Sequence, residues 1–352
     1  MFKLIGLYIL VNFFIFSIYG QAVSVSSNGD YSLPLDNQTG FEADFMQLFT
    51  DNEDTYLSLG YRYSRKINIY DFKAAKLVKS ITFEREGPNG IGGEMGGYYI
   101  ESFNEIYVYS YWERRLNVFN ESLEIIDKTT LSRSTTMPIV ECSFLSSIVK
   151  KDTNLYFTGT LENHFLHDNH RPVVKLSTNS KSFELVGRSP AKTYEGNFLF
   201  KHRCRILHNQ DDNIFALNFD VSDSIFLTDF DDKYVSKLAK ADKIDSVKPF
   251  SSEKGKLSFS QNDGYSYMGK GAYVGLLYDK YRKLYYRIAY YSRSLDEIYK
   301  IILPSYVLVV LDKDLNKIGE INIPDKFFPE MSFVGEAGLY VFNKKRYDEV
   351  SD

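Results

Sequence analysis

The sequence lacks the patterns that mark several catalytic and nucleic-acid-binding classes. Its 352 residues include 42 basic and 46 acidic side chains, and a net charge of −4 argues against a nucleic-acid partner. It has neither the His-Glu-x-x-His pattern of zinc proteases nor the Gly-x-Ser-x-Gly elbow of serine hydrolases. It also has no Pro-, Gly- or Ser-rich linker, so one mature domain is expected.

Long apolar runs are also scarce, and the chain has one, at its start. Met1-Phe2-Lys3 precedes the apolar run 4–19, which has the short basic start and apolar centre of a secretory signal. We predict a signal peptide over residues 1–20, a single domain over 21–352, and a secreted or periplasmic location in a bacterial cell envelope. The alternative is an uncleaved anchor, because the run is near the lower length limit of a span. After cleavage, no stable membrane span is expected.

The sequence also has few cysteines; the two are Cys142 and Cys204. An even count in an exported protein raises the possibility of a disulfide. Both cysteines precede apolar strands, which places them on the innermost strands of neighbouring units, where a bridge needs Cα atoms within about 7 Å. The alternative is two buried thiols that pack as small apolar residues. Because no cysteine ends the apolar run, a lipid-anchored N-terminus is not expected.

Short strands joined by tight turns make up most of what is present. The stretch Ile100–Asp127 predicts three consecutive antiparallel strands, because runs of β-branched and aromatic residues are separated by turn residues. Similar pairs of a strand and a polar turn recur at Asp71, Asn120, Ser177, Asp229 and Asp312. The last interval is longer and leaves room for an inserted polar loop between residues 241 and 270. The recurrence indicates one repeated sheet unit.

Such units bury little alone and stack as the blades of a propeller. We predict an all-β, six-bladed β-propeller, with five recognisable units and a last blade that begins with two strands in Met331–Tyr347. The Ser-rich segment Val23–Leu35 is predicted to complete that blade, so that N- and C-terminal strands pair and close the ring. Phe41–Phe49 is predicted to form a short helical turn.

Two stretches of the sequence resemble a known family. The segment Ile81–Gly90, with its Gly87-Pro88 crossing, and the strand end Asn104–Val108 look like the uncharacterised bacterial exported six-bladed propellers, which are related in fold to the TolB-like and NHL-like propellers. The resemblance covers nearly the whole mature chain. It implies an exported propeller with no established reaction. Many members begin with a lipid-modified cysteine, and this chain departs from them there.

Three of the five histidines, His164, His167 and His170, lie close together around an aspartate. Imidazoles are ligands that zinc, nickel or copper prefer, so these residues are candidate metal ligands. A spacing of three does not place the rings on one side of a strand, so a solvated loop is the favoured interpretation. No cofactor is predicted.

The fourth unit begins with a basic segment, where an innermost strand should line the central channel. Alternation directs Arg203 and Arg205 to one side of that strand and His202 to the other. Arginines that face the channel can bind a carboxylate, sulfate or phosphate, and we include His202 in this candidate ligand site. In the alternative, the arginines pair with nearby acids such as Glu141 or Glu195.

The function that this pattern favours is a non-enzymatic binding module whose loop face holds a small ligand, a glycan or a protein partner. The alternative is an exported hydrolase or lyase that acts on glycans or peptides at the channel mouth. Two carboxyls, or a His–acid pair, with perturbed pKa values at the channel would favour the enzyme.

Overall fold

The computed structural model describes residues 4–5, 8–9, 23, 26–35, 39–40, 42–131, 138–140, 142–161, 171–252 and 260–343. In these ranges the fold is all-β, with 26 strands and two short α-helices, Gln261–Met268 (α1) and Leu295–Tyr299 (α2). No helix in the described ranges is long and apolar enough to cross a membrane.

Three short strands precede the repeated sheets: β1 (Leu4–Ile5), β2 (Tyr8–Ile9) and β3 (Leu33–Pro34). Blade one contains β4 (Phe45–Asp51), β5 (Asp54–Tyr61), β6 (Lys66–Asp71) and β7 (Lys76–Thr82). Blade two contains β8 (Met95–Ser102), β9 (Glu105–Ser110), β10 (Arg115–Phe119) and β11 (Ile125–Thr130). Blade three contains β12 (Pro138–Val140), β13 (Val149–Lys151), β14 (Asn154–Leu161), β15 (Val173–Ser177) and β16 (Phe183–Val186).

Blade four contains β17 (Cys204–Asn209), β18 (Ile214–Phe219), β19 (Ser224–Thr228) and β20 (Tyr234–Leu238). Blade five contains β21 (Ala272–Asp279), β22 (Leu284–Tyr290), β23 (Tyr306–Leu311) and β24 (Lys317–Ile323). A further sheet contains β25 (Phe327–Gly335), β26 (Gly338–Asn343) and β2. All pairings are antiparallel, as tight turns between consecutive strands require.

The first strand of each blade lies innermost, and neighbouring innermost strands contact one another around the ring, as β4 contacts β8 and β17 contacts β21. We call the side of the ring where innermost strands begin the top face. Because consecutive strands are antiparallel, the second strand of each blade ends at this face and the third begins there. Side chains at these three positions are therefore brought together from different blades.

The all-β propeller prediction is confirmed, but the predicted count of six blades is wrong. Five blades have four or five strands, whereas the last sheet has three. In the described residues, β25 and β26 follow blade five, and the third strand of this sheet is the two-residue β2.

In its described residues, the segment Val23–Leu35 contributes no named strand to the last sheet, contrary to the prediction. Its strand β3 pairs with β1 instead. The Tyr31 ring lies 5.0 Å from the ring of Phe72 in blade one and 5.8 Å from that of Tyr340 in β26, and its hydroxyl donates to the Phe72 carbonyl at 2.6 Å. Tyr31 therefore covers the junction between blade one and the last sheet.

The predicted helical turn over Phe41–Phe49 is also wrong, because β4 occupies most of it. Phe45 and Phe49, four residues apart, suit one face of a helix as well as one face of a strand, since both spacings repeat on one side. Pairing with β5 in full register decides between the two, from Phe45 opposite Gly60 to Asp51 opposite Asp54.

Large apolar side chains fill the space between blades, and at one contact a glycine allows two blades to approach closely. All six residues of β18 are buried, because neighbouring blades cover both faces of the strand. Between blades one and two, a Cβ on Gly60 would lie 2.2 Å from the Tyr98 ring. Glycine at this position therefore permits the close approach of blade two, and the Tyr98 hydroxyl donates to Ser58 at 2.8 Å.

A hairpin fills the centre of the ring. It runs from Ser143 to Ser146, whose backbone N–H groups and carbonyls pair at 3.1 Å, and it interrupts the innermost edge of blade three between β12 and β13. Leu145 packs with residues of blade five and the last sheet, and Phe144 packs with those and with blade one. Phe144 and Leu145 thus reach from blade three to sheets on the other side of the ring, so they lie near its axis. We call residues 143–146 the central hairpin.

Candidate functional site

Charged and phenolic side chains converge at the top face where blades four and five meet the last sheet. We call this group the top-face cluster. Its members come from the start of an innermost strand, the end of a second strand, the start of a third strand and the loops beside them: Lys201, Arg205, Asp220, Tyr290, Arg293, Tyr306 and Glu330. The antiparallel register of each blade delivers these positions to one place.

Arg205 and Asp220 form a buried ion pair, with side chains 10% and 7% exposed. The register of β17 against β18 places Arg205 opposite Asn218, and the Asp220 N–H donates to the Arg203 carbonyl, so Arg205 and Asp220 lie diagonally across the two strands on the same face. Burial alone would lower the pKa of Arg205, but the carboxylates of Asp220 and Glu330 outweigh burial and raise it. The guanidinium therefore stays charged and fixed at the base of the cluster.

Lys201 is 4% exposed, and its ammonium donates to the Lys270 carbonyl at 2.6 Å and to the Tyr290 hydroxyl at 2.7 Å. Its Nζ also lies 4.9 Å from the centre of the Tyr290 ring. Burial lowers the pKa of Lys201 to about 8; Asp220 opposes that shift, and Arg293, Arg205 and Lys270 add to it. An ammonium carries three donors, so two acceptors leave one donor available.

Two further groups complete the cluster. The Tyr306 hydroxyl donates to Glu330 at 2.6 Å, and burial, followed by this carboxylate, raises the pKa of the tyrosine. Arg293 donates from Nη1 to the Ile302 carbonyl at 2.7 Å, while its buried Nε has no hydrogen-bond partner in the described structure. Three cations thus face two carboxylates, and both carboxylates are already engaged. The balance favours an anionic group in the cluster.

Of the three residues predicted to bind a ligand, the structure brings one, Arg205, into the top-face cluster. Arg205 belongs to the cluster, and its partner is Asp220; Glu141 lies outside the described residues. Arg203 is exposed, and its carbonyl accepts a hydrogen bond from the Asp220 backbone at 3.2 Å. His202 is half-buried, and its Nδ1 bonds with the Leu199 carbonyl. Ligand binding at these residues remains a prediction.

The structure does not form the predicted disulfide. Cys142 and Cys204 are both buried thiols that pack in different apolar clusters. The Cys142 side chain lies against blade two, where a Cβ on Gly97 would be 2.8 Å from its Sγ. Burial raises the pKa of Cys204, so this thiol is kept protonated. The two residues match the alternative, in which they pack as small apolar groups.

His164, His167 and His170 lie outside the described residues, so the metal-site prediction is not tested. Elsewhere in the described ranges, no group of three or more His, Cys, Asp or Glu side chains is arranged to hold a metal ion.

Sequence reasoning missed most of the cluster. Asp220 and Glu330 are isolated polar residues in the sequence, and Lys201 begins the basic segment that contains Arg205. Tyr290 and Tyr306 belong to a tyrosine-rich region that packing alone explains. The available signal was positional: each residue lies within a few positions of a strand end at the top face. An accurate alignment of the blades would therefore have grouped them.

Together, the fold and the cluster define a β-propeller with a polar, cation-rich site at its top face. The chain belongs to the DUF4221 family, a domain of unknown function, which matches residues 22–322. This membership confirms the resemblance to an uncharacterised propeller family, with the blade count corrected as above.

The chain is similar to many solved structures, among them the following two. A member of the same family from Bacteroides vulgatus is 22% identical, with a TM-score of 0.71, over 88% of this chain and 89% of that one. A predicted exported protein from Bacteroides fragilis is 10% identical, with a TM-score of 0.56, over 83% of this chain and 74% of that one. At these identities the likeness shows the fold. No curated protein matches the chain.

Proposed function

We propose that this protein is an exported, non-enzymatic binding module whose top-face cluster binds a ligand through an anionic group. The observation that carries the proposal is Lys201: a cation 4% exposed, held by a carbonyl and a hydroxyl, with no carboxylate at ion-pair distance in the described structure. Burial of a charge without an opposite charge is costly, and a bound anion would offset that cost.

Arg293 supports the same interpretation. Its buried Nε lacks a partner, and its charge contributes to the lowered pKa of Lys201, so the two cations act on the same space. A carboxylate, sulfate or phosphate placed there can accept from both. Such a group can be part of a small ligand, a glycan or a partner protein.

We do not propose a hydrolase or lyase. The two carboxylates of the cluster are held, one by Arg205 and the other by the Tyr306 hydroxyl. Export is proposed from the N-terminal apolar run, and the description of the similar protein from Bacteroides fragilis agrees with it.

Calorimetry with the full chain tests the proposal. Acetate, glucuronate, sulfate, phosphate and an acetylated dipeptide serve as probes at pH 7 and low salt, with thermal shift as a second readout. We expect at least one anion to bind, and Lys201→Met to weaken it about tenfold or more. Lys313→Met, which removes an exposed lysine away from the cluster, is the matched control. Equal weakening by both variants, or no binding up to about 10 mM, would overturn the proposal.

A further inference from the structure

A second concave site lies between blades three and four, apart from the top-face cluster. It is a groove of about 570 Å³, formed where Arg171 precedes β15, where Arg188 follows β16, and where the turn from β19 to β20 carries Lys233. Its volume lies in the range that small-molecule sites occupy. We call it the interblade groove.

Three cations line the interblade groove without ion-pair partners in the described structure. Arg171 donates from Nη1 to the Leu185 carbonyl at 3.0 Å, and the Arg188 guanidinium lies 5.4 Å from the centre of the Tyr234 ring. Lys233 is exposed, and Asp231 is an acidic residue on the same wall. Three positive charges against one negative charge favour an anion.

Aromatic side chains form a fixed wall of the groove beside Arg188. Phe230 adopts a left-handed backbone, with φ of 73°, which is uncommon for a bulky residue and signals a locally constrained turn. Its N–H donates to the Thr228 hydroxyl at 2.9 Å, and its ring stacks on Tyr156 with centroids 5.5 Å apart and planes inclined by 15°. The wall is therefore formed before any ligand binds.

A glycine in a left-handed backbone conformation lies beside that wall. Gly187 also has a positive φ, of 80°, and a Cβ at this position would lie 3.4 Å from the Phe230 ring. Beside it, the buried Thr228 and Ser189 supply hydroxyls to the lining. The groove thus combines guanidinium forks, hydroxyls and flat apolar surface within one small volume.

We propose that the interblade groove binds a sugar-sized ring carrying a tetrahedral oxyanion ester. Arg171 and Arg188 suit the oxyanion, because a guanidinium can donate two parallel hydrogen bonds to it. The Phe230 side chain of the wall suits the apolar face of the ring, and the hydroxyls suit its polar edge. A phosphate ester and a sulfate ester share this chemistry. The site does not depend on the function proposed for the top face.

Calorimetry on the full chain tests the groove with glucose 6-phosphate, glucose 6-sulfate, glucose and inorganic phosphate at low salt. At least one ester is expected to bind about tenfold tighter than either glucose or inorganic phosphate, and added salt is expected to weaken it. Comparison of the two esters distinguishes the sources of the oxyanion. If neither ester binds more tightly than its separate parts, the proposal is wrong.

Variants locate the binding. Arg171→Met and Arg188→Met are each expected to weaken the preferred ester about tenfold while the unfolding midpoint stays constant, because both side chains are exposed. Lys201→Met, in the top-face cluster, is the control and should leave ester affinity within about twofold. If Lys201→Met loses ester affinity and the two arginine variants keep it, the ester binds at the top face. That result would overturn this proposal and support the function proposed for the top-face cluster.

Discussion

Blades four and five hold two buried cations whose surroundings differ. Arg287, in β22, is fully buried and donates to Asn218 at 2.8 Å; its other contacts are the backbone carbonyls of Ser222 at 2.6 Å, Ala239 at 2.8 Å, Asp223 at 3.0 Å and Ser224 at 3.4 Å. Its guanidinium also lies 3.6 Å from the centre of the Tyr273 ring. Lys201 has two acceptors and one ring.

The comparison separates a structural cation from a binding cation. All five N–H groups of Arg287 have acceptors, which leaves no donor for a ligand. Most of these acceptors lie in blade four, so Arg287 joins blade four to blade five. Lys201 keeps one donor available beside Arg293. Burial lowers the pKa of both residues, Arg287 to about 10 and Lys201 to about 8. Saturation of the donors, not burial, therefore distinguishes the two roles.

The largest effect is expected from Arg287→Met. The change leaves several buried carbonyls and the Asn218 side chain without a donor, so we expect a loss of about 4 kcal/mol in the free energy of unfolding. Urea denaturation at pH 7 measures it. Arg188→Met, at an exposed arginine, is the control and should change stability by less than about 0.5 kcal/mol. A loss below about 1 kcal/mol would remove Arg287 from its structural role.

A pH series compares the wild type with Lys201→Met. The folded pKa of Lys201, about 8, lies below its ordinary value of 10.5, so the unfolded chain holds the proton through the interval between them. Stability of the wild type relative to the variant should therefore rise as pH increases from about 8 to 10.5, by up to about 3 kcal/mol. Taking the difference between the two proteins removes the contribution of the tyrosines. A flat difference would contradict the burial of a charged ammonium.

Asp220→Asn tests the other cation of the cluster. Arg205 would stay buried without its ion-pair partner, and a loss of about 2 kcal/mol in the free energy of unfolding is expected. Adding Arg205→Met to the same chain should recover part of the loss, because the unpaired charge is then removed. Additive losses in the double variant would show that the two residues do not act as a pair.

The smallest effect is expected from Lys201→Met at pH 7. Since the ammonium has no carboxylate partner, replacement by an apolar side chain of similar length should change stability by less than about 1 kcal/mol, or increase it. Chemical denaturation alongside Arg287→Met gives the direct contrast. A loss as large as that of Arg287→Met would mean that Lys201 is structural.

Sequence patterns predicted the sheets better than the site. Strands such as Ile214–Phe219 can be recognised in the sequence by their many apolar and aromatic residues. Both faces of such a strand are buried, so nearly every position favours an apolar side chain. The blade count failed because it assumed that residues 23–35 would form a long strand in the last sheet, whereas Tyr31 packs as a single ring over a junction. Local propensity does not show which sheet a weak strand joins.

The cluster was harder to predict because its parts are far apart in the sequence. Arg205 was identified through strand alternation and the expected position of an innermost strand, which are local properties. Its partner Asp220 is separated from it by a whole strand pair, and Glu330 lies in another sheet. Only the register of three sheets brings them together, and pairing of residues across sheets leaves no periodic signal in the chain.

The central hairpin connects sheets that are not neighbours in the sequence, and this has a consequence for the order of folding. The last sheet has three strands and therefore fewer strand pairs than the five blades. At the centre of the ring, Phe144 and Leu145 pack against this sheet and against blades one and five, and so hold the three sheets together. A Cβ on Gly275 would lie 2.5 Å from Leu145 Cδ1, so the hairpin packs closely against blade five. Because it joins segments far apart in the chain, docking of the central hairpin is expected late in folding, after the blades themselves have formed.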